Sequence, residues 1–188
     1  MTDPVQFILA VLTLLITPGP TNTVMATAGS GARRSPLPLL AAELFGYLAI
    51  IALARIALLP LIDLYPLAGI AIKLAVVAYL VYAAIRLWRG RVVLGTDGDL
   101  IGPRAVFLTT FLNPKGLIFA ISVFPRESEQ LWVYFILFTA LVAACGFAWF
   151  SLGRGLASVA GARAALLPRV ASIALLAFAA LLATSLAR

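Results

Sequence analysis

Histidine is absent from the 188 residues, and cysteine occurs once, at Cys145. The first absence removes the commonest metal ligand and the commonest proton carrier near neutral pH. The second excludes a disulfide within the chain and any two-thiol relay. Charge is scarce as well: 11% of residues carry one, against roughly 25% in a soluble domain. No hydrolase motif, paired buried acids or metal-binding spacing occurs, so neither catalysis nor a metal or other cofactor is expected. What is abundant is apolar: 63% of residues are hydrophobic and the mean hydropathy is +1.10. This composition belongs to an integral membrane protein. The length accommodates about six spans of ~20 residues with short loops. That makes 1–188 a single all-α transmembrane domain with no room for a soluble one.

Six apolar stretches lie at about 5–28, 37–59, 66–88, 104–125, 131–153 and 166–187. Pro36 and Pro38 open the second, Pro60 and Pro66 bracket a tight turn before the third, and Pro168 marks the sixth. Between the third and fourth runs a polar loop, 89–103, rich in glycine and aspartate. Ala26-Thr27-Ala28 mimics a signal-peptidase site, but Asp3 is the only charge before Arg33, so the basic n-region of a leader is missing. The first span is therefore expected to be retained.

Arginine sorts to one side of these spans. The loops between spans 1–2, 3–4 and 5–6, with their flanking turns, hold Arg33, Arg34, Arg86, Arg89, Arg91, Arg104, Arg154, Arg163 and Arg169. The other side holds Arg55, Arg126 and Arg188. The positive-inside rule then puts 89–103 in the cytoplasm and both termini outside it. The net charge of +7 is thus a topology signal and not a nucleic-acid footprint.

Two spans carry a polar interruption near their middle: Thr17-Pro18-Gly19-Pro20-Thr21-Asn22 and Asn113-Pro114-Lys115-Gly116. A proline inside a helix removes a hydrogen bond and clashes with the carbonyl four residues back. Pro18 and Pro20 should free the carbonyls of Leu14 and Ile16, and Pro114 that of Thr110. Within a bilayer such carbonyls must be buried in protein or line a watery cavity. Each break falls in the first span of its half of the chain. Three crossings invert the second half relative to the first, so the expected fold is two inverted three-helix repeats, about 5–88 and 104–188. Paired breaks near the midplane of such repeats are the best pointer to a carrier's binding site.

At these breaks the chain resembles the LysE/RhtB family of bacterial amino-acid exporters. The matching pieces are Thr17-Pro18-Gly19-Pro20 with the small-residue run to Gly31, Lys73-Leu74-Ala75, Tyr79-Leu80-Val81-Tyr82, Phe111-Leu112-Asn113-Pro114-Lys115 and Phe124-Pro125. The last two spans carry no distinctive motif. Arg126-Glu127 stands where the family often has a Gln-aromatic pair, and Arg55 is an unusual charge at the end of span 2. The resemblance implies a multi-pass protein of the bacterial inner membrane. It would export amino acids or their derivatives by proton antiport, with homo-oligomers possible.

Candidate site residues follow from the breaks. Proline suits the first position of a helix, so a helix should restart at Pro20, leaving the amides near Thr21, Asn22 and Thr23 pointing into the break. With the positive end of the helix dipole they suit an anion, such as a substrate carboxylate. The plainer alternative is a structural kink with those donors capped. Pro18, Gly19, Pro20, Thr21, Asn22, Asn113, Pro114 and Lys115 are thus the expected substrate site. An intramembrane ammonium, Lys115, costs ~2.5–3.5 kcal/mol on insertion scales. It can hold the carboxylate, or it can cap freed carbonyls as structural glue.

Glu43 is the only acid well inside an apolar stretch. Burial disfavours the charged form of a carboxyl, which makes Glu43 the leading proton-coupling residue. Alternatively it sits roughly 9 Å past Leu37 along the helix, at the interface, paired with Arg33 or Arg34. Lys73, about two turns into span 3, either snorkels outward or reaches a cavity. Arg55 is read as snorkelling, and Tyr65, Trp88, Trp132 and Tyr134 as interfacial anchors. The alanine and glycine runs of spans 5 and 6, such as Ala143-Ala144-Cys145-Gly146 and Ala177 to Ala180, suit close helix packing.

Three functions compete. A proton-driven efflux carrier for small zwitterions explains the breaks, the sparse buried charges and the resemblance. A metal or redox carrier on a related inverted-repeat fold needs more hard ligands or a second cysteine. A membrane-embedded enzyme or an assembly factor, without transport activity, is the third.

Overall fold

The computed structural model describes residues 3–30, 35–88, 101–126 and 128–158, and further on 172–173, 176–177, 179–180 and 183–184. All regular structure among them is helical. Helix α1 spans Pro4–Ile16, with the Asp3 carboxylate accepting from the Val5 amide at 2.8 Å. Helix α2 spans Pro20–Ser30, and the two meet at a 60° bend. The bend occupies Thr17-Pro18-Gly19, where the prolines deny the chain two amides.

Helix α3 (Leu37–Leu53) continues through a π turn, Ala54–Leu58, into α4 (Leu59–Leu64). The expected stop at Pro60 therefore does not occur. The π turn widens the hydrogen-bonded ring, so the Leu59 amide reaches back to Ala54. This places Pro60 at the start of a fresh helical segment, where its missing N–H is harmless. The turn lies at Tyr65 instead, whose amide donates to Leu61 at 2.8 Å. Helix α5 (Pro66–Trp88) follows.

Helices α6 (Pro103–Phe111) and α7 (Pro114–Ile118) form the second broken pair. Their axes bend by 50°. A second π turn, Phe119–Val123, extends α7, and extended Phe124 ends the segment before Pro125. Helix α8 covers Leu131–Ser158. The expected sixth span falls mostly outside the described residues. The described pairs between 172 and 184 are helical, and the Ser172 hydroxyl donates to the Ala84 carbonyl of α5 at 2.7 Å. Loop residues 89–100 and Arg33 and Arg34 also lie outside the described residues.

Leu37–Leu64 and Leu131–Gly155 are each long and apolar enough to cross a membrane, and each bent pair reaches the same length and apolarity only when its two halves are taken together. These are the helices of a membrane-embedded protein.

Two apolar clusters organise the packing. The larger joins Phe7, Val11, Tyr47, Phe119, Phe124 and Phe138, with edge-to-face rings at 5.1 Å (Phe7–Phe124) and 5.0 Å (Phe119–Phe138). Tyr134 belongs here: it is buried, with its ring 4.9 Å from that of Phe7, and is no surface anchor. Tyr65, Trp88 and Trp132 are exposed. The smaller cluster contains Val24, Met25, Leu39, Val106 and Phe150. Around it, α2 packs on α8 at backbone contact. A methyl group at Gly29 would collide with the Phe150 carbonyl, and one at Gly153 with that of Ala26. Gly46 likewise lets α3 lie against Phe107 and Thr110 of α6. Small residues permit such approach where lipid offers no hydrophobic force between helices.

Candidate functional site

The two breaks touch. Asn113, extended at φ −78° and ψ 124°, caps α7: its side-chain oxygen accepts from the Lys115 amide at 3.1 Å. Its side-chain nitrogen donates to the Thr21 hydroxyl, 2.9 Å away in the first turn of α2. Lys115 reaches the other way, its ammonium donating to the Thr17 carbonyl. Thr21, Asn22, Asn113 and Lys115 are each at most 2% exposed.

Asn22 closes the first break from within. Its side-chain amide donates to the carbonyls of Leu15 at 2.7 Å and Thr17 at 3.0 Å. The Leu15 carbonyl also accepts from the Trp149 indole at 3.3 Å. The carbonyls that receive side-chain donors are thus Leu15 and Thr17, one residue beyond the expected Leu14 and Ile16. The bend carries the Gly19 and Thr21 amides away from their helical acceptors, so losses extend beyond the proline positions. At the second break the Thr110 carbonyl accepts from the Asn113 amide at 3.0 Å, a tighter turn replacing the bond that Pro114 removed. Thr23 is not a free donor: its amide bonds the Gly19 carbonyl at 2.9 Å, completing the first turn of α2.

Lys115 lies directly over Gly19, where a methyl group would stand 3.1 Å from its Nζ. The ammonium and the positive end of α2 therefore share one spot, which favours negative charge there. Lys115 adopts the carbonyl-capping geometry in this conformation.

Glu43 sits on α3 with 2% exposure, and its Oε2 has no hydrogen-bond partner. The carboxyl rests on Gly146 of α8, where a side chain would overlap it. Glu43 and Lys115 are both buried, and the two form no ion pair within 4 Å. Among the described residues the ion pair shown is Arg126–Asp63. Tyr47, one turn after Glu43 on the same face, is fully buried beside Thr21, yet its hydroxyl meets no partner at hydrogen-bonding geometry.

Pro18, Gly19, Pro20, Thr21, Asn22, Asn113, Pro114 and Lys115 are thus brought together, with Glu43 close behind them. Lys73 is not: it is half-buried between α5 and α7, beside Ile118, Ile121 and Ser122. Arg55 is more than a snorkelling side chain, since it donates to the Pro125 and Arg126 carbonyls at 3.0 and 2.8 Å.

Sequence reasoning missed Tyr47, Trp149 and the role of Gly146. Tyr47 was within reach, standing four residues after Glu43. The other two depend on how α8 packs, which no local pattern records. Among the described residues no three of His, Cys, Asp and Glu come together as a metal cage would require. Chemically, the arrangement places a buried basic side chain at the breaks and a buried acid behind it. Comparison with protein-family models, with curated proteins and with solved structures finds no match for this chain.

Proposed function

We propose that the protein is an efflux permease of the bacterial inner membrane, similar to LysE-type exporters, that carries amino acids or their derivatives out of the cytoplasm. The observation that carries this reading is the junction of the two breaks, Asn113 to Thr21 and Lys115 to Thr17. Irregular backbone within apolar helices, joined across two breaks and accompanied by a buried basic and a buried acidic side chain, supports a carrier site.

In this reading the substrate carboxylate displaces the Thr17 carbonyl as partner of Lys115 and takes the free amides at the start of α2. Glu43 exchanges a proton as access alternates. Six spans in two inverted repeats, with both termini outside the cytoplasm, complete the proposal.

Purified protein in liposomes, loaded with a mixed amino-acid pool under an imposed pH gradient, tests the proposal. Gradient-driven movement of at least one pool member is expected. No movement of any member sinks the reading in favour of another solute or a role outside transport.

A further inference from the structure

Arg55 lies inside the first π turn, and the carbonyls it binds come just after Phe124, the residue that ends the second. Those carbonyls, of Pro125 and Arg126, stand beyond the last helical residue and lack helical donors. A planar guanidinium holds two N–H donors in a fixed fork toward two such acceptors, whereas a lysine ammonium is a compact charge on a flexible stem. Arg126 in turn pairs with Asp63 of α4 at 2.8 Å. That pair is more than half exposed and on its own worth little. The Arg55 fork is half-buried and holds backbone.

Below the fork is Phe124, 2% exposed. Its ring packs on Phe7 at 5.1 Å and on Phe138 at 5.3 Å. Phe138 packs on Phe119, and Phe119 on Tyr47, one turn from Glu43. A continuous run of packed rings therefore extends from Tyr47, one turn from Glu43, to Phe124, which immediately precedes the carbonyls that Arg55 holds. Both π turns pack against each other beside it. The Phe124 amide bonds Phe119 at 2.8 Å, so each turn holds one residue more than an α-helical ring. Reversion to α-helical register would swing the segment beyond it without breaking the helix, and such bulges recur at functional hinges.

We infer that Arg55, helped by Arg126–Asp63, is a latch over a Phe124 plug that keeps the passage from the break site to Asp63's face closed. The purpose of the passage rests on the carrier reading, whereas the latch itself does not need a known substrate. Release of Arg55 frees the end of the second π turn, letting Phe124 leave the rings.

The test uses Phe124→Cys in a Cys145→Ser background, with a membrane-impermeant maleimide added to either face of vesicles of known orientation. Labelling is slow with Arg55 intact. Arg55→Ala should accelerate it by about tenfold or more from Asp63's face alone, since a lost charge-assisted hydrogen bond shifts a two-state population by that order. Arg55→Lys should fall between. Val123→Cys provides a second probe if Phe124→Cys fails to fold. An unchanged rate in Arg55→Ala, or equal acceleration from both faces, overturns the latch. The expected labelling in a protein that exchanges no amino acid sustains the latch and removes the exporter reading.

Discussion

Asn113 donates its side-chain amide to the Thr21 hydroxyl at 2.9 Å, across 92 positions of sequence. Each residue stands at the start of a half-helix, so one hydrogen bond ties the two broken spans at their weakest points. Both groups are buried, and removing one leaves the other unsatisfied at ~1–3 kcal/mol. Asn113→Ala and Thr21→Val should each lower stability in detergent by that order. Together they should cost less than the sum, because the second loss has no partner left to strand. Strict additivity in a double-mutant cycle, read by thermal unfolding, contradicts the bond.

Glu43 and Gly146 make a second testable pair. Glu43→Gln keeps shape and removes the ionisable group, so gradient-driven accumulation should vanish while substrate exchange continues. Gly146→Ala should push the carboxyl off its seat and weaken coupling in the same direction. Flux measured with and without an imposed pH gradient separates the two activities. Gradient-driven flux intact in Glu43→Gln moves proton coupling to another group.

The α2–α8 contact predicts an asymmetric glycine series. Gly29→Ala and Gly153→Ala drive a methyl into a carbonyl of the facing helix and should each destabilise by ~1–3 kcal/mol, as overpacking does. At Gly155 an added methyl meets open space. There Gly155→Ala should gain ~0.5–1 kcal/mol from helix propensity. Unfolding midpoints of the three variants check the order, and equal effects would argue against close packing of these helices.

Gly19→Ala tests the seat of Lys115. The methyl would press on the ammonium and its neighbouring carbon at 3.1 and 3.2 Å, tight enough to shift a flexible tip without unfolding the break. Substrate affinity in exchange should change while the unfolding midpoint stays nearly constant. An unaltered affinity separates Lys115 from the substrate.

Much of this arrangement was legible in the sequence. The prolines at 18, 20 and 114 sit in apolar stretches, and local covalent constraints suffice to break a helix there. The first five apolar runs overlie α1 with α2, α3 with α4, α5, α6 with α7, and α8, because hydropathy and proline placement act locally. Pro60 misled, since a π turn changes hydrogen-bond register without changing composition. Arg55, Trp149 and Gly146 act on groups 70 or more positions away or on a neighbouring helix, so their roles exist only after packing. Lys73 stood in a family-like run, yet its helix face turns it toward α7 and away from the breaks. Glu43 was found by its chemistry, but its resting place on α8 required the assembled helices.

The most direct measurement is counterflow of amino acids in proteoliposomes, comparing wild type with Lys115→Ala and Pro18→Ala. Lys115→Ala removes the tether to Thr17, and Pro18→Ala lets the first break heal toward a continuous helix. Exchange by the wild type with loss in both variants is expected if the site lies at the joined breaks. Exchange at wild-type rates in both variants contradicts it and places transport elsewhere in the bundle.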